Sequence, residues 1–364
     1  MPLNIVIIGS TGELGSKLLN YTNKHHIKIY AATCYKNIKK LNLQKSRYRI
    51  NKIYALSSDI DKKNFLNLLK KRIDLIYFLD FGSSSLIFLN TFLNNNSNST
   101  VAIANKEMII AGGKYLFDKF KKTKNTFISL DSEHFSLRNN LLYPETINKI
   151  YITASGGPFF FNKSKSINKA NLSDVLNHPK WKMGINNLID SSNFINKILE
   201  IYELSYIYKI PLEKIDFLIS KEAFIHSIVK YNDGIISFNT FKNDMLITLI
   251  YPLKKYFEIN HYMDSENFIF NKSNFEITKK LDKRFIFFKY FKKMKKFNHC
   301  DQIKLMLINN HAQSLYLDNK IRYINIIPYT IKKMKKFNNN PIFKNFQDIV
   351  SYIDNLKLQI LKND

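Results

Sequence analysis

Residues 4–15 read NIVIIGSTGELG, and this stretch decides the class of fold. An apolar run rich in β-branched residues ends directly at Gly9, which predicts a first β-strand. The residues that follow, from Ser16 to Tyr21, carry apolar side chains at helical spacing. Glycines at 9, 12 and 15 let a backbone approach an anion, and a helix N-terminus adds N–H donors. A GxxGxxG spacing in this context favours a nucleotide site.

The rest of the first third repeats the alternation of strand and helix. This alternation predicts a parallel, doubly wound sheet. Beyond Leu130 the polar motifs fall in loops between short strands, and the region from about 281 onward is lysine-rich with amphipathic periodicity. Predicted strands are 27–34, 53–55, 75–79 and 149–153, with a turn at 232–234 before a further strand, and predicted helices are 62–71 and 192–208.

Length and composition limit the class of protein. A chain of 364 residues with 45% hydrophobic residues is long enough for two or three globular domains. Its apolar runs stay well short of the ~20 residues that cross a bilayer. The first residues read as a strand rather than a signal peptide. Cys34 and Cys300 stand far apart, which favours a reduced, cytoplasmic setting.

The net charge of +27 raises the alternative of a nucleic-acid-binding protein. Lysine is abundant together with Asn, Ile, Phe and Tyr, all residues with AT-rich codons, whereas Gly and Pro are scarce. Genome composition therefore explains much of the lysine, and solvated lysines are favoured over a nucleic-acid face. The same field would still attract an anionic substrate.

The loop after the second predicted strand indicates which nucleotide would bind. Residues 35–40 read YKNIKK, with several cations and without an acidic residue. An acidic residue here would favour NAD, whereas cations suit a 2′-phosphate, so the loop favours NADPH. The alternative is an ordinary basic surface loop.

Three carboxylates are candidates for a metal site. Asp131 and Glu133 are two residues apart and point the same way on an extended segment. Oxygen ligands of this kind suit Mg²⁺ or Mn²⁺, although a solvated loop is the alternative. Glu200 is the candidate third ligand, and helical spacing places it on one face with Asn196 and Lys197. The competing interpretation of Lys197 and Glu200 is a surface ion pair.

Small polar segments complete the candidate site. Residues 155–158 read SGGP, a loop whose hydroxyl and N–H groups can hold an anion, and Ser191 adds a further donor. His178 and Trp181 lie in HPKWKMG (178–184), which is typical of a mobile flap over a substrate. The alternative for Trp181 is a core anchor.

Six motifs in order resemble one enzyme family: GSTG (9–12), ANKE (104–107), DSEH (131–134), SGGPF (155–159), HPKWKMG (178–184) and DSSNFINKILE (190–200). They resemble the 1-deoxy-D-xylulose 5-phosphate reductoisomerases. The likeness is nearly continuous from residue 4 to about 252. It implies NADPH- and metal-dependent conversion of 1-deoxy-D-xylulose 5-phosphate into 2-C-methyl-D-erythritol 4-phosphate, in non-mevalonate isoprenoid biosynthesis.

The resemblance also implies an architecture and an assembly. The fold class would be α/β, and members of the family form V-shaped homodimers. The implied segments are an N-terminal Rossmann-like NADPH domain at 1–125, a central α/β catalytic and dimerisation domain at 126–254 with a lid at 178–187, a linker at 255–280, and a C-terminal α-helical domain at 281–364.

The resemblance assigns roles residue by residue. Cofactor binding falls to Gly9, Ser10, Thr11, Gly12, Glu13, Leu14, Lys36, Asn37, Asn105, Lys106, Glu107 and Gly184. Metal binding (Mg²⁺, Mn²⁺ or Co²⁺) falls to Asp131, Glu133 and Glu200. Substrate binding falls to Lys106, Ser132, Ser155, His178, Trp181, Ser191, Asn196, Lys197 and Glu200, and the catalytic residues are Lys106, Glu133 and His178.

Some positions depart from the family pattern. Glu13 replaces a small residue, Tyr35 replaces a glycine, and Ile185-Asn186 replaces a basic pair after the lid glycine. Asn309-Asn310 stands where Asn-Glu is usual. A different NADPH-dependent reductase, such as one acting on a semialdehyde, is the alternative enzyme. It is disfavoured because a three-carboxylate site would be superfluous and neither cysteine sits at a nucleophile position.

Overall fold

The protein is described here as a computed structural model. The described residues are 3–141, 144–163, 166–177, 184–259, 276–279, 282–337 and 339–362. The chain forms two compact units, each made from two stretches: Met1–Phe135 with Asp244–Tyr262, and Ser136–Asn243 with Met263–Asp364. The four segments predicted from the sequence remain a prediction.

The first unit contains the predicted parallel sheet. Its six strands run in the order β3-β2-β1-β4-β5-β6, which is the doubly wound arrangement. Four of them are fully buried, as expected for strands covered by helices on both faces. The strands are β1 (Ile5–Ile8), β2 (Ala31–Cys34), β3 (Lys52–Ala55), β4 (Leu75–Phe78), β5 (Thr100–Ile103) and β6 (Thr126–Ser129).

Helices connect these strands, and one of them differs from its predicted extent. The helix predicted over 62–71 begins earlier, because the Ser58 side chain accepts a hydrogen bond from the Asp61 N–H and caps the helix at Asp59. The helices are α1 (Glu13–Lys24), α2 (Ile38–Tyr48), α3 (Asp59–Leu68), α4 (Leu86–Asn95), α5 (Lys106–Thr123) and the short α6 (Ser132–Ser136).

The second strand is also shorter than predicted. It was expected from residue 27, but pairing with β1 begins at Ala31 opposite Val6. The Ile27 N–H instead donates to Thr22 O and closes the end of α1. Residues 27–30 therefore connect the helix to the sheet.

The second unit contains a five-stranded mixed sheet in the order β10-β9-β7-β8-β11. β7 and β8 are parallel, and the other pairs are antiparallel. The turn predicted at 232–234 joins two of these strands. The strands are β7 (Ile147–Ala154), β8 (Ile215–Ser220), β9 (Ile225–Tyr231), β10 (Ile236–Thr240) and β11 (Ile277–Thr278).

The long helix predicted over 192–208 is wrong in its continuity. The chain forms α7 (Leu172–Leu176), then α8 (Ile185–Asn193) and α9 (Ile195–Tyr208), with a break at Phe194. Phe194 has a φ of 71°, a left-handed conformation that is costly for an aromatic residue. Its ring is buried among other phenylalanines, which include Phe285 and Phe288. Packing of this ring holds the break in place.

The remaining helices confirm the helical character of the C-terminal region. A short helix, α10 (Leu246–Ile250), belongs to the first unit, where the Tyr77 hydroxyl donates to Leu249 O at 2.9 Å. None of the helices in the described part of the chain is long and apolar enough to span a membrane. The C-terminal helices are α11 (Phe287–Met294), α12 (His299–Leu317), α13 (Ile326–Met334) and α14 (Phe346–Lys362).

Candidate active site

Polar residues of the first unit gather at the carboxyl ends of its parallel strands. The glycine turn follows β1, Lys36 and Asn37 follow β2, Asn105 follows β5, and Asp131 follows β6. In an open parallel sheet, ligands bind outside these ends where the strand order reverses, here between β1 and β4. The sheet therefore brings most of the predicted cofactor residues to one edge.

The glycine turn has the geometry of an anion cradle. Gly9 has a φ of 83°, and a Cβ at Gly15 would lie 2.5 Å from the Ser10 Cα, so the turn is close-packed on its inner side. Gly12 caps α1 and faces open space, since a Cβ there would meet only Gly9 O at 3.4 Å. Helix N–H groups can reach an anion placed there. The turn thus fits a dinucleotide diphosphate.

Two residues of α2, Lys40 and Gln44, form hydrogen bonds with this turn. Ser10 is buried, and its hydroxyl donates to Gln44 Oε1 at 2.8 Å. Lys40 Nζ donates to Thr11 O at 2.8 Å. The Ser10 hydroxyl therefore serves the fold, and Lys40 holds the turn, a role that its place in a basic loop did not predict. Lys36 and Asn37 are exposed, and the Asn37 side chain also caps α2.

The N-terminal end of α5 carries Asn105 and Lys106, and Lys106 contacts the candidate metal ligand Asp131. The Asn105 side chain accepts from the Met108 N–H at 3.1 Å, capping α5, and donates to Gly82 O at 2.9 Å. The next residue, Lys106, is only 6% exposed, and its ammonium lies 3.4 Å from Asp131 Oδ2. Glu107 is also buried.

The segment that carries Asp131 and Glu133 is helical, so the prediction of an extended segment is wrong. Asp131 Oδ1 accepts from the Glu133 N–H at 3.1 Å, as a helix-capping carboxylate does. A carboxylate oxygen of each residue nevertheless lies within 4.8 Å of the other. Ser132 Oγ donates to Glu133 Oε2, and the fully buried His134, absent from the prediction, has Nδ1 3.6 Å from Asp131 Oδ1. These side chains can hold a divalent cation.

In the second unit, the glycines of SGGPF pack the loop after β7 against α8. Gly156 and Gly157 have φ values of 84° and 59°. A Cβ at Gly157 would lie 3.0 Å from Ser191 O and 3.1 Å from the Ser192 Cα. The segments that carry Ser155 and Ser191 are therefore in direct contact, and both serines are partly exposed. Such an arrangement can present two hydroxyl groups to one phosphate.

Glu200 and Lys197 form a buried pair on α9, so the surface ion-pair alternative is wrong. Lys197 Nζ lies 2.6 Å from Glu200 Oε2 and donates to Thr153 O at 2.8 Å. Asn196 Nδ2 donates to the other carboxylate oxygen of Glu200. The exposed fractions of Lys197 and Glu200 are 6% and 2%. The predicted common face of the three residues is confirmed.

The C-terminal helices support this part of the site. Asp190 is buried and accepts from Asn309 Nδ2 at 2.9 Å and from Gln313 Nε2 at 2.5 Å, both on α12. The hydroxyls of Ser192 and Tyr323 are 2.8 Å apart. Asn309, the first residue of the Asn309-Asn310 pair that departs from the family pattern, thus holds α8 next to Ser191.

The predicted lid lies only partly within the described residues. His178, Trp181 and Met183 lie outside the described residues. Gly184 is described and exposed, and it precedes the first residue of α8, Ile185.

Comparison with known proteins identifies the relatives of this chain. It is 31% identical to the 1-deoxy-D-xylulose 5-phosphate reductoisomerase of Pelagibacter ubique, over 95% of this chain and 93% of that protein. It is 30% identical to the enzyme of the same name from Thermoanaerobacter pseudethanolicus, over 98% of both chains. The chain belongs to the 1-deoxy-D-xylulose 5-phosphate reductoisomerase family.

Two further comparisons agree with this membership. A family model for the 1-deoxy-D-xylulose 5-phosphate reductoisomerase C-terminal domain matches residues 127–208. The fold is similar to that of the reductoisomerase from Zymomonas mobilis solved in complex with NADPH, with a TM-score of 0.80 and 22% identity over 99% of this chain and 98% of that one. The resemblance inferred from the motifs is confirmed, and the nucleic-acid alternative gains no support.

Proposed function

We propose that this protein catalyses the NADPH- and divalent-metal-dependent conversion of 1-deoxy-D-xylulose 5-phosphate into 2-C-methyl-D-erythritol 4-phosphate, a step of non-mevalonate isoprenoid precursor biosynthesis. One observation carries the proposal. In a member of the reductoisomerase family, a single edge of the parallel sheet holds an open glycine turn, a basic loop and the contact between Lys106 and Asp131.

The cofactor residues fit NADPH. A bound NADPH supplies the hydride that reduces the rearranged aldehyde. The glycine turn surrounds the diphosphate, the exposed cations after β2 attract the 2′-phosphate, and Asn105 and Glu107 lie on the side of the sheet that the nicotinamide would occupy. The proposed cofactor residues are 9–14, Lys36, Asn37, 105–107 and Gly184.

The acidic residues fit Mg²⁺ or Mn²⁺, with Co²⁺ as a further candidate. A bound divalent cation supplies Lewis-acid stabilisation of the negative charge that develops on the substrate oxygens. Asp131 and Glu133 offer neighbouring carboxylate oxygens in the first unit. Glu200, oriented in the second unit by Asn196 and Lys197, is the proposed third ligand. Oxygen-only ligands are those that these ions prefer.

The other polar residues orient the substrate. Lys106 and Ser132 contact its reacting end, where the Lys106 ammonium offsets developing negative charge. Ser155, Ser191, Asn196 and Lys197 hold the phosphate and the hydroxyls. Contacts with the phosphate, remote from the bonds that change, align the substrate and favour lid closure. His178 and Trp181 remain assigned to the substrate and the lid 178–187 by the resemblance.

One assay tests the proposal. NADPH oxidation is followed by absorbance with 1-deoxy-D-xylulose 5-phosphate, with Mg²⁺ or Mn²⁺ and with a chelator. We expect turnover only when substrate and metal are both present. Metal-dependent turnover by Glu200→Gln equal to that of the wild type would show that Glu200 is not a metal ligand. Salt-dependent retention on RNA without NADPH oxidation would favour the nucleic-acid alternative.

We also propose that the protein is a cytoplasmic homodimer. Among the described residues, strand β10 is an edge strand of the second unit's sheet, and three apolar residues at this edge, Ile235, Ile236 and Phe238, are 60%, 50% and 52% exposed. A second copy of the chain would cover them. Cys34 and Cys300 are free and buried, which suits a reducing compartment.

A further inference from the structure

Asp80 is an acidic residue just beyond β4 that none of the sequence motifs includes. Its backbone packs against the glycine turn, since a Cβ at Gly9 would lie 2.7 Å from the Asp80 nitrogen. β1 and β4 are the neighbouring strands at which the order of the sheet reverses. Asp80 therefore lies at the position where doubly wound sheets bind nucleotides.

The carboxylate of Asp80 is surrounded by uncharged donors. Ser85 Oγ donates to Oδ2, and Asn105 Nδ2 lies 3.4 Å from Oδ1. Burial raises the pKa of this carboxyl to about 6, so it is mostly ionised at pH 7.5. An ionised carboxylate only accepts hydrogen bonds and has about four acceptor positions, which is more than its three donors (Ser85, Asn105 and its own backbone N–H) occupy. Its chemistry fits a further hydroxyl donor.

The arrangement of the strands indicates which part of the nucleotide would provide that donor. The diphosphate fits the turn after β1, and the cations after β2 fit the phosphorylated adenosine. The opposite half of the dinucleotide then extends over β4 and β5, where Asp80 and Asn105 are joined by a hydrogen bond. Of the groups in that half, the ribose carries two hydroxyls.

We propose that Asp80 binds NADPH by accepting a hydrogen bond from a hydroxyl group of the nicotinamide ribose, an inference that rests on the proposed function. The proposed contact places the Asp80 carboxylate, an anion, close to the diphosphate. A carboxylate can bind there when its other neighbours are uncharged and a hydroxyl of the ligand donates to it. Ser85 and Asn105 act as positioning residues, because they fix the carboxylate in front of the sheet edge.

Binding of two nucleotides tests the proposal without catalysis. Isothermal titration calorimetry of NADPH and of adenosine 2′,5′-bisphosphate, which contains only the adenosine half, is carried out on the full chain and on Asp80→Ala and Asp80→Asn. We expect the Kd for NADPH to rise about tenfold in both variants, the loss of one hydrogen bond to a charged group. The Kd for the bisphosphate should stay within about twofold.

Controls separate the possible outcomes. Asp118→Asn makes the same change of charge at an exposed position of α5 and should leave both Kd values unchanged. Equal weakening of both nucleotides in the Asp80 variants would mean that the residue only shapes the fold, and unchanged NADPH binding would mean that it makes no contact. Either result overturns the proposal. Failure of the wild type to bind NADPH would instead overturn the proposed function.

Discussion

The Lys197–Glu200 pair shows how a single interaction serves both stability and the proposed site. Two charged groups that are 6% and 2% exposed stay together because each compensates the other, and the Lys197 ammonium also donates to a carbonyl of β7. Breaking a buried ion pair by removing one partner usually costs about 3–5 kcal/mol. The pair therefore fixes a carboxylate that is proposed to bind a metal.

Replacement of the lysine should reveal this dependence. Lys197→Met deprives the buried Glu200 carboxylate of its ammonium partner, so we expect the free energy of unfolding to fall by about 3 kcal/mol. Urea denaturation followed by circular dichroism measures the change. Lys209→Met, at the C-terminal cap of the same helix α9, is the control and should lose far less. Equal losses in the two variants would contradict a compensating role for the pair.

At Asp80, by contrast, we expect a substitution to stabilise the protein. Its pKa is about 6 in the fold and about 3.9 in an unfolded chain, so the folded state holds the proton more tightly. Stability from this group is present below pH 4 and is lost as the pH rises through 6. Asp80→Asn should therefore stabilise the nucleotide-free protein by about 3 kcal/mol at pH 8 and by little at pH 4. Thermal unfolding at the two pH values measures it; an effect independent of pH would argue against the raised pKa.

Sequence patterns predicted a set of candidate site residues, but they did not predict the local geometry of these residues. The types and spacing of residues 131 and 133 indicated metal ligands, but the Asp131 carboxylate also caps α6, and no period of two or of 3.6 is visible in so short a segment. Ser10 was expected at the cofactor, yet its hydroxyl faces Gln44, a partner 34 residues away. Such contacts depend on tertiary packing, which a local pattern does not contain.

At the scale of elements, β5 and β6 were not predicted, whereas the other four strands of the first unit followed from short apolar runs. The break between α8 and α9 did not. It depends on burial of the Phe194 ring against Phe285 and Phe288, which lie some 90 residues further along the chain. The break sets the direction of α9 separately from that of α8, so the loop at 155–158 can contact α8 while Asn196 and Glu200 face one another on α9.

The role of the contact between the SGGPF loop and α8 in substrate binding can be tested by substituting two glycines. Gly157→Ala adds a Cβ at 3.0 Å from Ser191 O, whereas Gly234→Ala, in the turn between β9 and β10, adds one that meets no atom within 4 Å. Both residues have positive φ values, so the backbone strain of about 1 kcal/mol is shared. We expect Gly157→Ala to raise the KM for 1-deoxy-D-xylulose 5-phosphate about tenfold or more and Gly234→Ala to leave it unchanged. Steady-state kinetics at saturating NADPH measures both, and equal KM values would exclude a substrate role for the packing.

At the scale of the whole molecule, part of the positive charge lies inside the fold rather than on its surface. Several lysines that composition alone would place in solvent are buried: Lys106, Lys197 and Lys304 are all less than 9% exposed. Lys304, for example, lies 3.5 Å from Asp301 and donates to Asn340 at 2.5 Å. The net charge is therefore a poor guide to partners here, since some of these cations are paired inside the fold.

The assembly is the property on which the sequence was least informative, because an edge strand is recognised only once the order of the sheet is known. β10 pairs with β9 on one side only within the described residues, and Ile236 on that strand is 50% exposed.

If a second copy covers this edge, a charge there should disfavour association. We expect Ile236→Lys to convert a dimer into a monomer at micromolar concentration, as measured by light scattering after size-exclusion chromatography. Leu358→Lys, on the exposed face of α14, is the matched control and should remain dimeric. A wild-type monomer would refute the homodimer itself, and a dimeric Ile236→Lys would place its interface elsewhere.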